Sequence, residues 1–276
     1  MKNFKGLKKI TAEVLALAAG IFYVAPIILL FMNTFKTQGE MFESFLALPK
    51  SFYVENYIRA WNNMKYPRAF MNTLTVTIGT VVLIVILSSM AAYRIARSRS
   101  RKATGLLIYF IISMMLPFQT IMLPLMKIVA GLGLTASLGG YIIVATALMC
   151  PFTIYLYRGF YSQIPVEIEE AAIIDGANPF QVFFITVLPL LKPITVTVII
   201  INVMNVWNDF LLALLMLQRR DKMTLQISVM QYTGQYNLEW NLTLATLAIV
   251  ILPVIILYIC LQNSIQSGLT AGAIKG

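Results

Sequence analysis

Charged residues along this chain fall in short clusters and leave long stretches without any. Uncharged runs extend from Val14 to Phe35, Ala69 to Tyr93, Ala103 to Met126, Ile128 to Tyr157 and Trp240 to Ile274. A sixth, Pro193 to Gln218, is interrupted only by Asp209. A helix crossing a bilayer needs about 20 mostly apolar residues, so each run can hold one span. The pattern predicts spans at 14–35, 70–93, 104–126, 139–157, 193–217 and 242–262. The expected fold class is all-α and integral to the membrane, with six transmembrane helices. Pro26, Pro117, Pro124 and Pro253 lie inside predicted spans, where each removes a backbone donor and favours a kink. No Gly/Ser-rich linker and no internal repeat divides the chain, so residues 1–276 read as one membrane domain.

Composition agrees with the pattern. The chain is 59% hydrophobic and 12% charged, against roughly 25% charged in soluble domains. Four lysines precede the first apolar run, as they would in a secretory signal. That run is longer than the roughly 7–15 residues of a signal core, and no small-residue cleavage site follows, which favours an uncleaved helix. Cys150 and Cys260 fall inside predicted spans with no CxxC partner, and the chain has no histidine. They read as small buried hydrophobes, with no metal site implied.

The net charge of +10 matters here for its placement and points to no nucleic-acid partner. Lys2, Lys5, Lys8 and Lys9 precede the first span; Arg94, Arg97, Arg99, Arg101 and Lys102 follow the second; only Lys127 follows the third. The positive-inside bias therefore puts the N-terminus and the 94–102 and 158–192 segments in the cytoplasm. Six spans return the C-terminus to the same side. The outside segments 36–68 and 219–240 also carry Lys and Arg, but they are longer and less dense.

Against this background one stretch stands apart. Residues 165–180, PVEIEEAAIIDGANPF, hold four of the eleven acidic residues: Glu167, Glu169, Glu170 and Asp175. Pro165 suits a first helical turn, and the glutamates sit near the positive end of the helix dipole. Gly176 is placed to end that helix left-handed. Asn178, Pro179 and Gln181 have the spacing of an N-cap, first helical position and capping box. The sequence predicts helix, glycine turn, helix, with FFITVLPLLKP leading into the fifth span. Solvation alone would explain the charges; apolar arms bracketed by carboxylates argue more strongly for a docking surface.

Residues Glu169–Pro189 resemble the EAA loop of ABC importer permeases, with Glu170, Ala171, Ala172, Gly176, Leu188 and Pro189 at the motif positions. LPFQTIMLPL, PFTIYLYRGFYSQIP, WNDFLLALL and the terminal GLTAGAIKG resemble the carbohydrate (maltose-type) branch of that family. The resemblance implies a multi-pass subunit of a prokaryotic cell membrane, surrounded by lipid. It pairs with a second permease, two cytoplasmic ATPase subunits and an external sugar-binding protein. ATP-Mg would belong to the ATPases, with no cofactor on this chain and no catalysis by it; the chain has no GxxxxGK[ST] phosphate loop. Glu169, Glu170, Ala171, Ala172, Asp175, Gly176 and Pro189 are then the expected ATPase-coupling residues, with Glu170 facing a basic group on the ATPase.

Two further sets are candidates for function. Thr195, Asn202, Asn205 and Asp209 fall on one face of the fifth helix, and Gln119 lies in the third. Their groups can hydrogen-bond sugar hydroxyls or hold membrane helices together; both readings stand. In segment 219–240, Tyr232, Gln235 and Tyr236 suit contact with a binding protein, as against a solvent-exposed loop. A secondary transporter or channel, or a scaffolding subunit, remains the alternative on composition. Ion-coupled carriers place ionisable groups at mid-membrane, and only Asp209 qualifies.

Overall fold

The computed structural model describes residues 2–98, 100–232 and 239–273. Among these residues every regular element is a helix. Four helices are long and apolar enough to span a bilayer: Ile10–Asn33, Tyr66–Arg97, Leu138–Tyr161 and Trp240–Cys260. Two further helix pairs meet the same test only when taken together. Arg101–Met114 with Phe118–Gly131 is bent by 107°, and Pro179–Leu190 with Lys192–Trp207 by 79°.

The predicted third span is therefore broken, where a kink was expected. The break falls at Pro117, held at φ −59° and ψ 134° as the residue preceding Phe118–Gly131. Proline disfavours helical geometry in the residue before it and offers no N–H to continue the ladder. Pro124, in contrast, sits inside the second half without ending it. The predicted fifth span ends as a helix at Trp207, and a separate short helix, Leu211–Met216, follows.

The chain falls into two compact units, Met1–Tyr66 with Ser228–Ile255, and Pro67–Ile227 with Ile256–Gly276. The first is organised by a buried amide. Asn56, fully buried, donates to the carbonyls of Thr34 and Lys36, both at 2.8 Å, and accepts from Asn241 at 2.8 Å. Buried Lys36 donates to the carbonyls of Ser44 and Phe45 at 3.0 and 3.1 Å. Desolvation lowers its pKa below the ordinary lysine value, with the Glu40 carboxylate pulling the other way. The 36–68 segment is thus folded, carrying the short helices Gln38–Glu43 and Glu55–Asn63. No residue in the most apolar window of Ile10–Asn33 is buried, so that surface is left to lipid or another protein.

In the second unit, Leu138–Tyr161 packs against Arg101–Met114, Lys192–Trp207 and Leu211–Met216. One apolar cluster gathers Val76, Tyr141, Val144, Val206 and Met216. Another gathers Ile95, Tyr157, Tyr161, Phe183, Val187 and Val198. Gly140 permits a close approach at the start of the central helix: a Cβ there would lie 1.9 Å from the Leu134 carbonyl oxygen. The head of the 219–240 segment is also fastened. Asn72 donates to the carbonyls of Asp221 and Met223 at 3.1 and 2.9 Å, and Thr73 Oγ1 accepts from the Leu225 N–H at 2.9 Å.

Candidate functional site

The acidic stretch forms a helix, Glu167–Ile174, two residues later than Pro165 would start it. Its end is a Schellman motif. Gly176 has φ +87°, its N–H donates to the Ile173 carbonyl, and the Ala177 N–H donates to the Ala172 carbonyl, both at 3.0 Å. The next helix starts as the local chemistry dictates. Asn178 accepts from the Gln181 N–H at 3.0 Å while the Gln181 side chain accepts from the Asn178 N–H at 2.8 Å. The following six residues, Val182–Val187, form a π-helical turn. It closes with the Leu188 N–H on the Phe183 carbonyl, directly before Pro189, whose missing N–H prevents the usual ladder from resuming there. Pro189 itself is exposed.

The carboxylates of this stretch do not behave alike. Glu167, Glu170 and Asp175 are exposed, as is Ala171. Glu169 is buried, at 6% exposure. Its carboxylate accepts from Arg97 Nε and the Tyr93 hydroxyl, each at 2.7 Å. Glu169 was expected among the groups facing an ATPase; it faces the interior of its own chain. The reason is that Arg97, at the end of Tyr66–Arg97, supplies the charge that makes its burial tolerable. Removing one member of such a pair leaves the other desolvated and costs roughly 3–5 kcal/mol. Ala172 packs on the cluster that contains Tyr161 and Phe183.

Outward, the same segment exposes large apolar side chains beside its free carboxylates. Ile174 is 84% exposed, and Ile173, Phe180 and Ile185 are each more than half exposed. A patch of this kind, rimmed by charge, is characteristic of a protein contact.

The polar residues of the fifth apolar run separate into different environments. Thr195 accepts from the Tyr157 hydroxyl at 3.1 Å. Asn202, almost fully buried, donates to Thr153 Oγ1 at 3.2 Å and to the Val198 carbonyl at 2.8 Å. Both therefore join this helix to Leu138–Tyr161 within the chain. Asn205 is exposed. Asp209 sits in the break after Trp207, accepting from the Tyr141 hydroxyl at 2.8 Å and the Ala213 N–H at 2.9 Å. Gln119 is exposed in the first turn after the Pro117 break. Tyr232 closes a 3-10 turn, Val229–Tyr232; Gln235 and Tyr236 lie outside the described residues. Sequence reasoning did not pair Arg97 with Glu169, or Tyr141 with Asp209. A charged residue inside an apolar run was the available signal for the second pair.

Residues 84–270 match the family of binding-protein-dependent transport system inner membrane components. The chain belongs to this family. It is 34% identical over 273 residues, 98% of each chain, to the probable starch degradation products transport system permease protein AmyC of Thermoanaerobacterium thermosulfurigenes. It is 33% identical to the melibiose/raffinose/stachyose import permease protein MelC of Bacillus subtilis, covering 99% of this chain and 98% of that one. The fold resembles a chain in the crystal structure of a bacterial ABC transporter involved in the import of the acidic polysaccharide alginate. That match has a TM-score of 0.79 and 26% identity, and covers 92% of this chain and 96% of that one. This is a permease subunit of an ABC importer, and nothing in these likenesses supports a secondary transporter or channel.

Proposed function

We propose that this chain is one of two permease subunits of an ATP-driven sugar importer, with six transmembrane helices and both ends in the cytoplasm. Two bent helix pairs supply the third and fifth spans. Residues 161–190 form the coupling loop, in which Glu170, Asp175 and Gly176, with Ile174 and Phe180, meet an ATPase subunit that binds and hydrolyses ATP-Mg. A second permease completes the path, to which Asn205 and Gln119 contribute exposed polar groups. The outer loop with Tyr232, Gln235 and Tyr236 meets an external sugar-binding protein. The single observation that carries this reading is the exposed apolar and acidic face of residues 167–185, built on a glycine turn within a family whose members work with a binding protein. The sugar assignment is supported by AmyC and MelC, whose names give starch degradation products and melibiose, raffinose and stachyose.

The test is purification of the tagged chain from its native membrane, followed by reconstitution with the co-purified subunits and binding protein. Sugar uptake should require ATP inside the cell-equivalent compartment, and an ATPase should co-purify. Uptake driven by an ion gradient without ATP would overturn the reading.

A further inference from the structure

Arg97 ends the Tyr66–Arg97 helix, yet its guanidinium holds two other elements. Nε donates to Glu169 Oε1 at 2.7 Å, and Nη2 approaches the same oxygen at 2.6 Å. Nη1 donates to the Tyr161 carbonyl at 3.2 Å and Nη2 to the Ile164 carbonyl at 3.0 Å. These carbonyls belong to the last residue of the Leu138–Tyr161 helix and to the connection that follows it. One planar fork therefore fastens the ends of two long helices to the short helix Glu167–Ile174.

The other side of the joint is set by Tyr93, one helical turn before Arg97. Its hydroxyl donates to Glu169 Oε2, and its ring lies against Tyr161 and Phe183 at 5.5 and 5.3 Å between centroids. Glu169 is the buried residue of Glu167–Ile174, whose remaining side chains are exposed or half-buried. Of its apolar side chains, the small Ala172 packs on the cluster that contains Tyr161 and Phe183, while Ala171 is exposed. Polar attachment, more than side-chain interdigitation, fixes the position and angle of this helix.

We infer that Arg97 and Glu169 are positioning residues that form a rigid strut. The strut transmits displacement of the exposed face around Ile174 to the Tyr66–Arg97 and Leu138–Tyr161 helices. This rests on the reading of residues 161–190 as the ATPase contact. A lysine at 97 keeps the charge but cannot satisfy a carboxylate and two separate carbonyls in one plane. A glutamine at 169 keeps the shape and removes the charge. Both substitutions loosen the strut while leaving the outward face unchanged.

The experiment uses the assembled importer in proteoliposomes with its binding protein, comparing Arg97→Lys, Glu169→Gln, Tyr93→Phe and Ile174→Asp. ATP hydrolysis, uptake and the amount of co-purified ATPase are measured on each. Arg97→Lys and Glu169→Gln should retain the ATPase but lower uptake per ATP hydrolysed by about fivefold or more, the low end of ordinary coupling between sites. Tyr93→Phe, which keeps both ring contacts, should lower that ratio less. A merely structural role would reduce assembly, hydrolysis and uptake together and leave the ratio unchanged; that result overturns the strut. Should the first two variants fail to assemble, a wild-type ratio in Tyr93→Phe overturns it. Ile174→Asp separates the two readings: unchanged ATPase association there refutes the docking surface, whatever the ratio in the other three.

Discussion

The Tyr141 hydroxyl donates to the Asp209 carboxylate at 2.8 Å, joining the first turn of Leu138–Tyr161 to the break between Lys192–Trp207 and Leu211–Met216. The same carboxylate accepts from the Ala213 N–H at 2.9 Å and, at 3.4 Å, from Leu212. Asp209 thus ties down a helix start and satisfies a nearly inaccessible phenol, since Tyr141 is 1% exposed. Asp209→Ala strands that hydroxyl, at about 1–3 kcal/mol, and leaves the Ala213 N–H at the helix start without its side-chain acceptor. The expected outcome is a clear fall in the thermal midpoint of the purified complex. Asp209→Asn keeps an acceptor and should fall much less. Equal midpoints for both variants and the wild type would show the contact to be idle.

Asn202 and Asn205 lie less than one turn apart and should respond in opposite ways. Asn202 is buried against Thr153, so Asn202→Ala removes an interhelical bond worth about 0.6–2 kcal/mol in a membrane bundle. Stability should drop, and transport only as far as folded complex is lost. Asn205 is exposed, so Asn205→Ala should leave the thermal midpoint unchanged while raising the sugar concentration needed for half-maximal uptake. Wild-type uptake by Asn205→Ala would remove that residue from the proposed path.

The 107° bend between Arg101–Met114 and Phe118–Gly131 permits either a broken span or a re-entrant loop. Single cysteines at Lys102 and Thr135, both exposed, decide between them in a background lacking Cys150 and Cys260. A broken span predicts that an impermeant maleimide reaches position 135 from outside intact cells, and position 102 only after the membrane is opened. Labelling of both from one side requires a re-entrant loop and a different count of spans.

What was legible in the sequence was local chemistry. Gly176, Asn178, Pro179 and Gln181 specify a turn and a cap through bonds spanning at most five residues, and they form as their spacing dictates. The placement of the long apolar helices was legible for a similar reason, because burial in lipid needs length and little else. Which glutamate turns inward was not. Glu169 and Glu170 are adjacent and chemically identical, and the choice between them is made by Arg97, 72 residues earlier. Read alone, Arg97 is one more cytoplasmic cation. The Pro117 break was half legible: proline predicts a disturbed ladder, but a kink like that tolerated at Pro124 and a 107° turn differ only in what the neighbouring helices offer.

Gly176 gives the sharpest test of the turn itself. A Cβ built there meets nothing within 4 Å, so steric exclusion plays no part and only the backbone, at φ +87°, resists substitution. A left-handed residue with a Cβ costs about 1–2 kcal/mol, whereas asparagine visits that region more readily. Gly176→Asn should therefore retain near-wild-type uptake, Gly176→Ala should lose part of it, and Gly176→Val, being β-branched, should lose most. The loss should appear as weaker ATPase association, with little change in the thermal midpoint of the permease. That pattern follows because the buried attachment at Glu169 lies seven residues upstream and does not depend on the turn. Wild-type association in Gly176→Val would show that the two short helices need no fixed angle between them, and the docking surface would have to be carried by Glu167–Ile174 alone.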